Sequence, residues 1–152
     1  MKTLIEHLSN YAAYHRDPRN VATHFVGIPM IVLAVTVLLG RPAMVLYVLS
    51  CLFYLRLSFG FGVTMAAILA LFVWAGAWFA ALPTTAWLAS GIGLFVAGWV
   101  IQFVGHYFEG RKPAFVDDLV GLLVGPLFLV AETAFAFGLA RQTRDAMLAH
   151  AH

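Results

Sequence analysis

Charge is scarce in this chain. Nine Lys and Arg and seven Asp and Glu among 152 residues leave 11% of the sequence charged against 62% hydrophobic, where soluble domains carry about a quarter charged residues. That excludes an ordinary water-soluble fold and indicates an integral membrane protein, with a length that suits a single domain over 1–152. The net charge of +2 is slight and dispersed, which excludes a nucleic-acid-binding surface. Cysteine is scarcer still: Cys51 stands alone in an apolar run, so no internal disulfide can form and the residue reads as packing. Internal repeats and low-complexity tracts are absent, as is any nucleotide-binding pattern.

What the chain does contain is apolar length, broken at a few informative points. Lys2 to His15 reads as an amphipathic helix, with Thr3 and Glu6 at capping-box spacing and Leu4, Leu8, Tyr11, Ala12 and His15 recurring at helical intervals. It is expected to lie along the bilayer surface. Its polar residues, Glu6, His7, Asn10 and His15, leave no continuous apolar core, so it is not a signal peptide and is expected to be retained. Asp17-Pro18 supplies an N-cap and a first-turn proline, and predicts a new helix carrying Asn20 and His24 on one face.

Four crossings follow: Phe25 to Gly40, Ala43 to Ser58, Phe59 to Leu82 and Ala86 to Gly105, separated by Arg41-Pro42, by Ser58 and by Pro83-Thr84-Thr85. Trp74 and Trp78 read as interfacial anchors or packing, and Gly91, Gly93 and Gly98 as points of close helix approach. The apolar length from Val116 to Ala140 is a poor simple span. It begins at Asp117 and Asp118, holds Gly125-Pro126 at its middle and carries Glu132 beyond. A mid-helix proline predicts a break there, so a broken or re-entrant pair is expected. Charge distribution supports the re-entrant form. With the N-terminus cytoplasmic, Lys2, Arg16, Arg19, Arg56, Arg111 and Lys112 fall inside, and Arg141 and Arg144 join them if the last segment turns back, leaving Arg41 outside. The architecture expected is all-α: a bundle of four spans, a broken C-terminal segment and an interfacial N-terminal helix. Glu132 is expected to face the protein interior with a partner.

The polar stretch Gln102 to Ala114 ends the fourth crossing in a histidine, a carboxylate and two cations. On a continuing helix Gln102, His106 and Glu109 share a face. His15 and His24 are nine residues apart and would point about 180° apart on one helix, but Pro18 interrupts it and lets both turn inward. The predicted topology brings His15, His24 and His106 to the same membrane face. Three imidazoles and a carboxylate suit a first-row metal such as Fe(II), with positions left open for substrate and O2. Ionisable groups at a membrane edge are read as functional.

Two groups of residues in this order carry a family resemblance. Tyr14-His15, Pro18, Asn20, His24 and Pro29 form the first; Gly98-Trp99, Gln102 to His106, Glu109 and Lys112-Pro113-Ala114, followed by Asp117, Leu119 and Val120, form the second. Together they resemble the signatures of the 2-hydroxy fatty acid dioxygenase family, formerly domain of unknown function 962, which includes the fungal endoplasmic-reticulum enzyme of phytosphingosine breakdown. Ala43 to Leu82 match only as apolar spans. The resemblance implies an iron-dependent enzyme that takes a long-chain 2-hydroxy fatty acid and O2 to the acid one carbon shorter. It also implies His15, His24 and His106 as the functional histidines and metal ligands, with Glu109 the accompanying carboxylate. Where some members have a further histidine after the first, this chain has Arg16.

The implied reaction, R-CH(OH)-COOH and O2 to R-COOH, CO2 and water, balances without a second reductant, consistent with the absence of a nucleotide fold. Arg111 and Lys112 are candidates for pairing with the substrate carboxylate or with lipid headgroups. His7 falls outside the family pattern and reads as a surface residue, and His150 and His152 lie in a polar tail. The expected setting is a cytoplasmic membrane in a bacterium or the endoplasmic reticulum in a eukaryote, with the site on the cytoplasmic side. The competing class is a non-catalytic lipid-binding or scaffold protein, which accounts for the spans but not for histidines converging on one face. A lipid hydrolase is weaker, since Ser58 and Ser90 lack a nucleophile-elbow context.

Overall fold

The computed structural model describes residues 1–151. They form eight α-helices and, among the described residues, no strand: α1 Leu4–Ala12, α2 Pro18–Leu39, α3 Pro42–Leu57, α4 Phe59–Ala80, α5 Thr84–Glu109, α6 Ala114–Asp117, α7 Gly121–Ala136 and α8 Arg141–His150. Three of them, α2, α4 and α5, are long and apolar enough to cross a bilayer. α3 is apolar but shorter, 16 residues, or about 24 Å at 1.5 Å per residue against a hydrocarbon core of about 30 Å. Leu49 and Leu52 on α3 and Trp74 and Trp78 on α4 point outward, as side chains facing lipid do.

The α2/α5 pair organises the bundle, because α5 presents glycine every seventh residue to its antiparallel neighbour. A methyl added at Gly98 would come within 2.7 Å of the Ile31 side chain and 3.1 Å of the Gly27 carbonyl oxygen. Gly91 meets Leu38, and Gly105 meets Thr23 and Asn20. Ascending α5 therefore descends α2, and the bare faces let the backbones close up in the small-residue manner of membrane helices. Gly93 is different from its expected role: its hypothetical methyl would meet nothing within 4 Å, so it lies off the stripe. On the other flank α4 closes on α2 at Gly76 and Thr36, and Thr36 donates to the Phe72 carbonyl at 3.0 Å.

At the N-terminal end, Thr3 and Glu6 form the expected capping box on α1. α1 ends at Ala12, short of His15, and buries His7, Leu8 and Tyr11 beneath α7 and α8. His7 is thus a buried residue, edge-on to Phe53 at 5.7 Å, and not the surface residue that its place in an interfacial helix suggested.

The C-terminal break also differs in position from the one expected. α7 runs through Gly125-Pro126 without interruption, and the chain turns by 115° between α7 and α8. There Gly138 and Ala140 take positive φ, 73° and 50°, a conformation glycine accepts readily and alanine does not. Pro126 lacks the N–H that another residue would give to the Leu122 carbonyl, yet α7 continues past it to Ala136. Nearby, the Tyr54 hydroxyl donates to the Leu123 carbonyl at 2.6 Å and reinforces that turn. Glu132 is half-buried on α7 and forms no ion pair among the described residues, so the partner expected for it is not there.

Candidate metal centre

The antiparallel α2/α5 pair brings the first turns of α2 beside the last turn of α5, and so places His24 next to His106. The linker between α1 and α2 adds His15. One potential ligand atom from each of the three lies within 4.8 Å of the other two, and all three residues are buried. Ring centroids are 4.4 Å apart for His15 and His24, 5.1 Å for His15 and His106 and 4.9 Å for His24 and His106.

Each of the first two rings is oriented by the carbonyl four residues before it. His15 Nδ1 lies 2.7 Å from the Tyr11 carbonyl oxygen and His24 Nδ1 2.8 Å from that of Asn20. A carbonyl only accepts, so both Nδ1 atoms carry the proton and, in the neutral rings, both Nε2 atoms carry a lone pair. Those two Nε2 atoms face each other at 2.9 Å. Two bare lone pairs at that distance repel unless a cation lies between them. A proton is disfavoured, since burial pushes the His15 imidazole down to about 4. A metal ion satisfies both: ligands about 2.1 Å from one ion and at right angles stand about 3 Å apart. His106 Nδ1 adds a third sign, being buried with no hydrogen-bond partner. The three residues therefore fit a metal by donor chemistry and by spacing.

Glu109 does not belong to this ligand cluster. Its carboxylate accepts from the Arg16 and Asp17 amides at 2.9 and 2.8 Å and from Asn20 Nδ2 at 3.0 Å, which fastens the His15 linker and the start of α2 to the end of α5. Asp17 caps α2 by accepting from the Arg19 amide at 2.8 Å, and its carboxyl is held low by the Arg19 side chain. Arg111 donates to the Ala13 carbonyl at 2.9 Å and lies 4.2 Å above the Tyr14 ring. Lys112 is paired with Asp117 at 2.5 Å, and Tyr14 donates its hydroxyl to the same carboxylate. This exposed cluster ties the linker to α6.

Two cavities lie at this end of the molecule, of which the first borders His24 and His106 and the second touches none of the three histidines. An apolar one of about 70 Å³ is lined by Ile28, Ile31, Trp99 and Leu122 together with His24, Gln102 and His106. The second, with charged residues in its wall, is lined by Lys2, His7, Arg111 and Asp118 among others. Tyr11 borders both and stacks on His15 with centroids 4.1 Å apart and planes 8° from parallel. Its part in the site was not foreseen from the sequence, although its place four residues before His15 was the available signal.

A helical membrane protein with three buried histidines able to hold a metal is the class that fold and site define. The family described as 2-hydroxy-palmitic acid dioxygenase Mpo1-like matches residues 1–137, from α1 through α7. The chain belongs to this family. Among curated proteins it is 34% identical over 141 residues to the 2-hydroxy-palmitic acid dioxygenase MPO1 of Saccharomyces cerevisiae, covering 86% of this chain and 79% of that one. No solved structure matches it.

Proposed function

We propose that the chain is an iron-dependent dioxygenase of the membrane that converts long-chain 2-hydroxy fatty acids and O2 to the acids one carbon shorter, with release of CO2. The observation that carries this reading is the facing pair of unprotonated Nε2 atoms on His15 and His24 beside the unpartnered His106. His15, His24 and His106 hold the metal. Fe(II) bound there supplies a Lewis acid for the substrate's carboxylate and hydroxyl and the electron-transfer capacity that O2 activation requires. Glu109, assigned from the sequence as a fourth ligand, is better used by this geometry as a positioning residue whose carboxylate fixes the His15 linker.

The apolar cavity accommodates the carbons nearest the head group, and the remainder of the acyl chain stays with the lipid tails. Burial of the histidines keeps bulk water from the reacting carbon. Arg111, on the charge-lined cavity, attracts the carboxylate, with Lys112 close to it. The site lies on the cytoplasmic side of the membrane, with both termini on that side, as the distribution of Lys and Arg favours.

Purified protein reconstituted with Fe(II) and given 2-hydroxyhexadecanoic acid and O2 is expected to yield pentadecanoic acid and CO2 in equal amounts, and the His106→Ala variant to yield neither. Absence of bound iron together with absence of product from the wild type would reject the enzyme in favour of a lipid-binding scaffold.

A further inference from the structure

Gln102 is a polar residue whose amide oxygen finds no hydrogen-bond donor inside the protein. It lies one turn before His106 on α5 and is only 6% exposed, and its Oε1 is enclosed without any hydrogen-bond donor. The fold also makes room for it. A methyl on Gly27 would come within 2.5 Å of that oxygen and 3.0 Å of Gln102 Cγ, so only glycine at that point of α2 lets the amide lie where it does. A buried amide oxygen without a donor is costly, and leucine or methionine would fill the same space without that cost. The side chain borders the apolar cavity together with His24 and His106. The Gln102 side chain, with its unpartnered oxygen, therefore forms part of the wall where the polar end of an apolar ligand would meet the histidines.

We propose that Gln102 recognises the 2-hydroxyl group of the substrate, and so separates 2-hydroxy acids from unhydroxylated fatty acids. The inference rests on the dioxygenase reading for the identity of the ligand. Its chemical basis is separate. A carboxylate at neutral pH has no proton to offer an amide oxygen, whereas a hydroxyl has one. Because a hydroxyl both donates and accepts, it satisfies the carboxamide in either orientation of its oxygen and nitrogen. A plain fatty acid entering the same cavity has no hydroxyl to donate and leaves the amide oxygen unpaired, and a site built around a substrate hydroxyl discriminates strongly against the analogue that lacks it.

The test is a binding measurement on metal-free protein, so that chelation of the hydroxyl by a metal cannot supply the preference. Trp99 lines the cavity, and its fluorescence reports occupancy during titration with 2-hydroxyhexadecanoic acid and, separately, hexadecanoic acid. Wild type is expected to favour the hydroxy acid by about tenfold or more. Gln102→Leu and Gln102→Met are expected to bind the two acids within about threefold of each other, while retaining the wild-type metal content after reconstitution. A preference that survives in either variant, or a wild type that shows none, overturns the assignment even if the iron-loaded wild type turns over the hydroxy acid. The converse result, a preference lost on mutation but no product from iron-loaded wild type, keeps the hydroxyl site and rejects the dioxygenase.

Discussion

His15 Nε2 and His24 Nε2 stand 2.9 Å apart, each on a ring whose Nδ1 proton is committed to a backbone carbonyl. The lone pairs of the two rings thus converge where a shared cation would satisfy both. Addition of a divalent metal is expected to raise the melting temperature of the wild type, by about 2.7 kcal/mol of stability at a free concentration a hundred times the dissociation constant. His24→Ala removes one of the facing lone pairs along with a ligand, so its melting temperature should no longer respond to metal. Thermal melts with and without Fe(II) or a redox-inert substitute make the comparison, and an equal response in both proteins would refute a shared ion.

The same burial makes the metal-free protein sensitive to acid. His15 is lowered from 6.5 to about 4 in the folded state, chiefly by desolvation. Between those values the unfolded chain binds a proton that the folded chain does not, so stability is complete above 6.5 and is lost as pH falls towards 4. The loss is on the order of 3 kcal/mol. Denaturation measured across this range should show a slope that His15→Gln flattens. A wild-type profile indistinguishable from that of the variant would mean that His15 is not neutral in the fold.

Glu109→Gln separates the two uses a carboxylate can have here. Glutamine keeps one acceptor oxygen but turns an amide donor towards at least one of the Arg16, Asp17 and Asn20 donors. If Glu109 positions the linker, the variant still binds metal with the wild-type spectrum, at an affinity about 10 to 100 times weaker. A changed ligand-field spectrum at saturating metal would instead make Glu109 a ligand.

The meeting of the three histidines follows from features visible in the sequence. Pro18 ends any continuous helix between His15 and His24, and antiparallel spans return His106 to the same edge. The work of Glu109 was hidden because its partners include two backbone amides of an irregular linker, whose placement no side-chain pattern encodes. The C-terminal break was misplaced for a related reason: α7 continues past the interior Pro126, whereas the actual turn depends on positive φ at Gly138 and Ala140, and alanine gives no warning of it. Gly93 was grouped with Gly91 and Gly98 by proximity, but the face that touches α2 follows the interval that joins Gly91, Gly98 and Gly105.

That distinction among the glycines predicts opposite effects from one chemical change. Gly98→Ala drives a methyl against Ile31 and the Gly27 backbone and should destabilise the protein by about 1 to 3 kcal/mol. Gly93→Ala meets open space and should be neutral or stabilising by up to about 1 kcal/mol through helix propensity. Denaturation in detergent reads both, and equal destabilisation would dismiss the seven-residue stripe as the α2 contact.

Arg111 and Lys112 were paired as carboxylate binders by adjacency, yet their surroundings differ. The Lys112 ammonium is already matched by Asp117 at 2.5 Å, so its charge is largely cancelled for an approaching anion. Arg111 has no acidic partner within ion-pair distance among the described residues. One of its guanidinium nitrogens is engaged by the Ala13 carbonyl, which leaves further N–H groups for a carboxylate, and it borders the charge-lined cavity beside Tyr11. Arg111→Ala is therefore expected to lower kcat/KM for 2-hydroxy fatty acids by about tenfold at low salt, an effect that shrinks as ionic strength rises and screening shortens the reach of the charge. Lys112→Ala should cost less than about threefold, on the scale of an exposed ion pair. Arg111→Lys should recover only part of the loss, because an ammonium lacks the planar fork that engages both carboxylate oxygens. Steady-state kinetics of the three variants at two salt concentrations decide the matter, and a larger defect in Lys112→Ala than in Arg111→Ala would reverse the assignment.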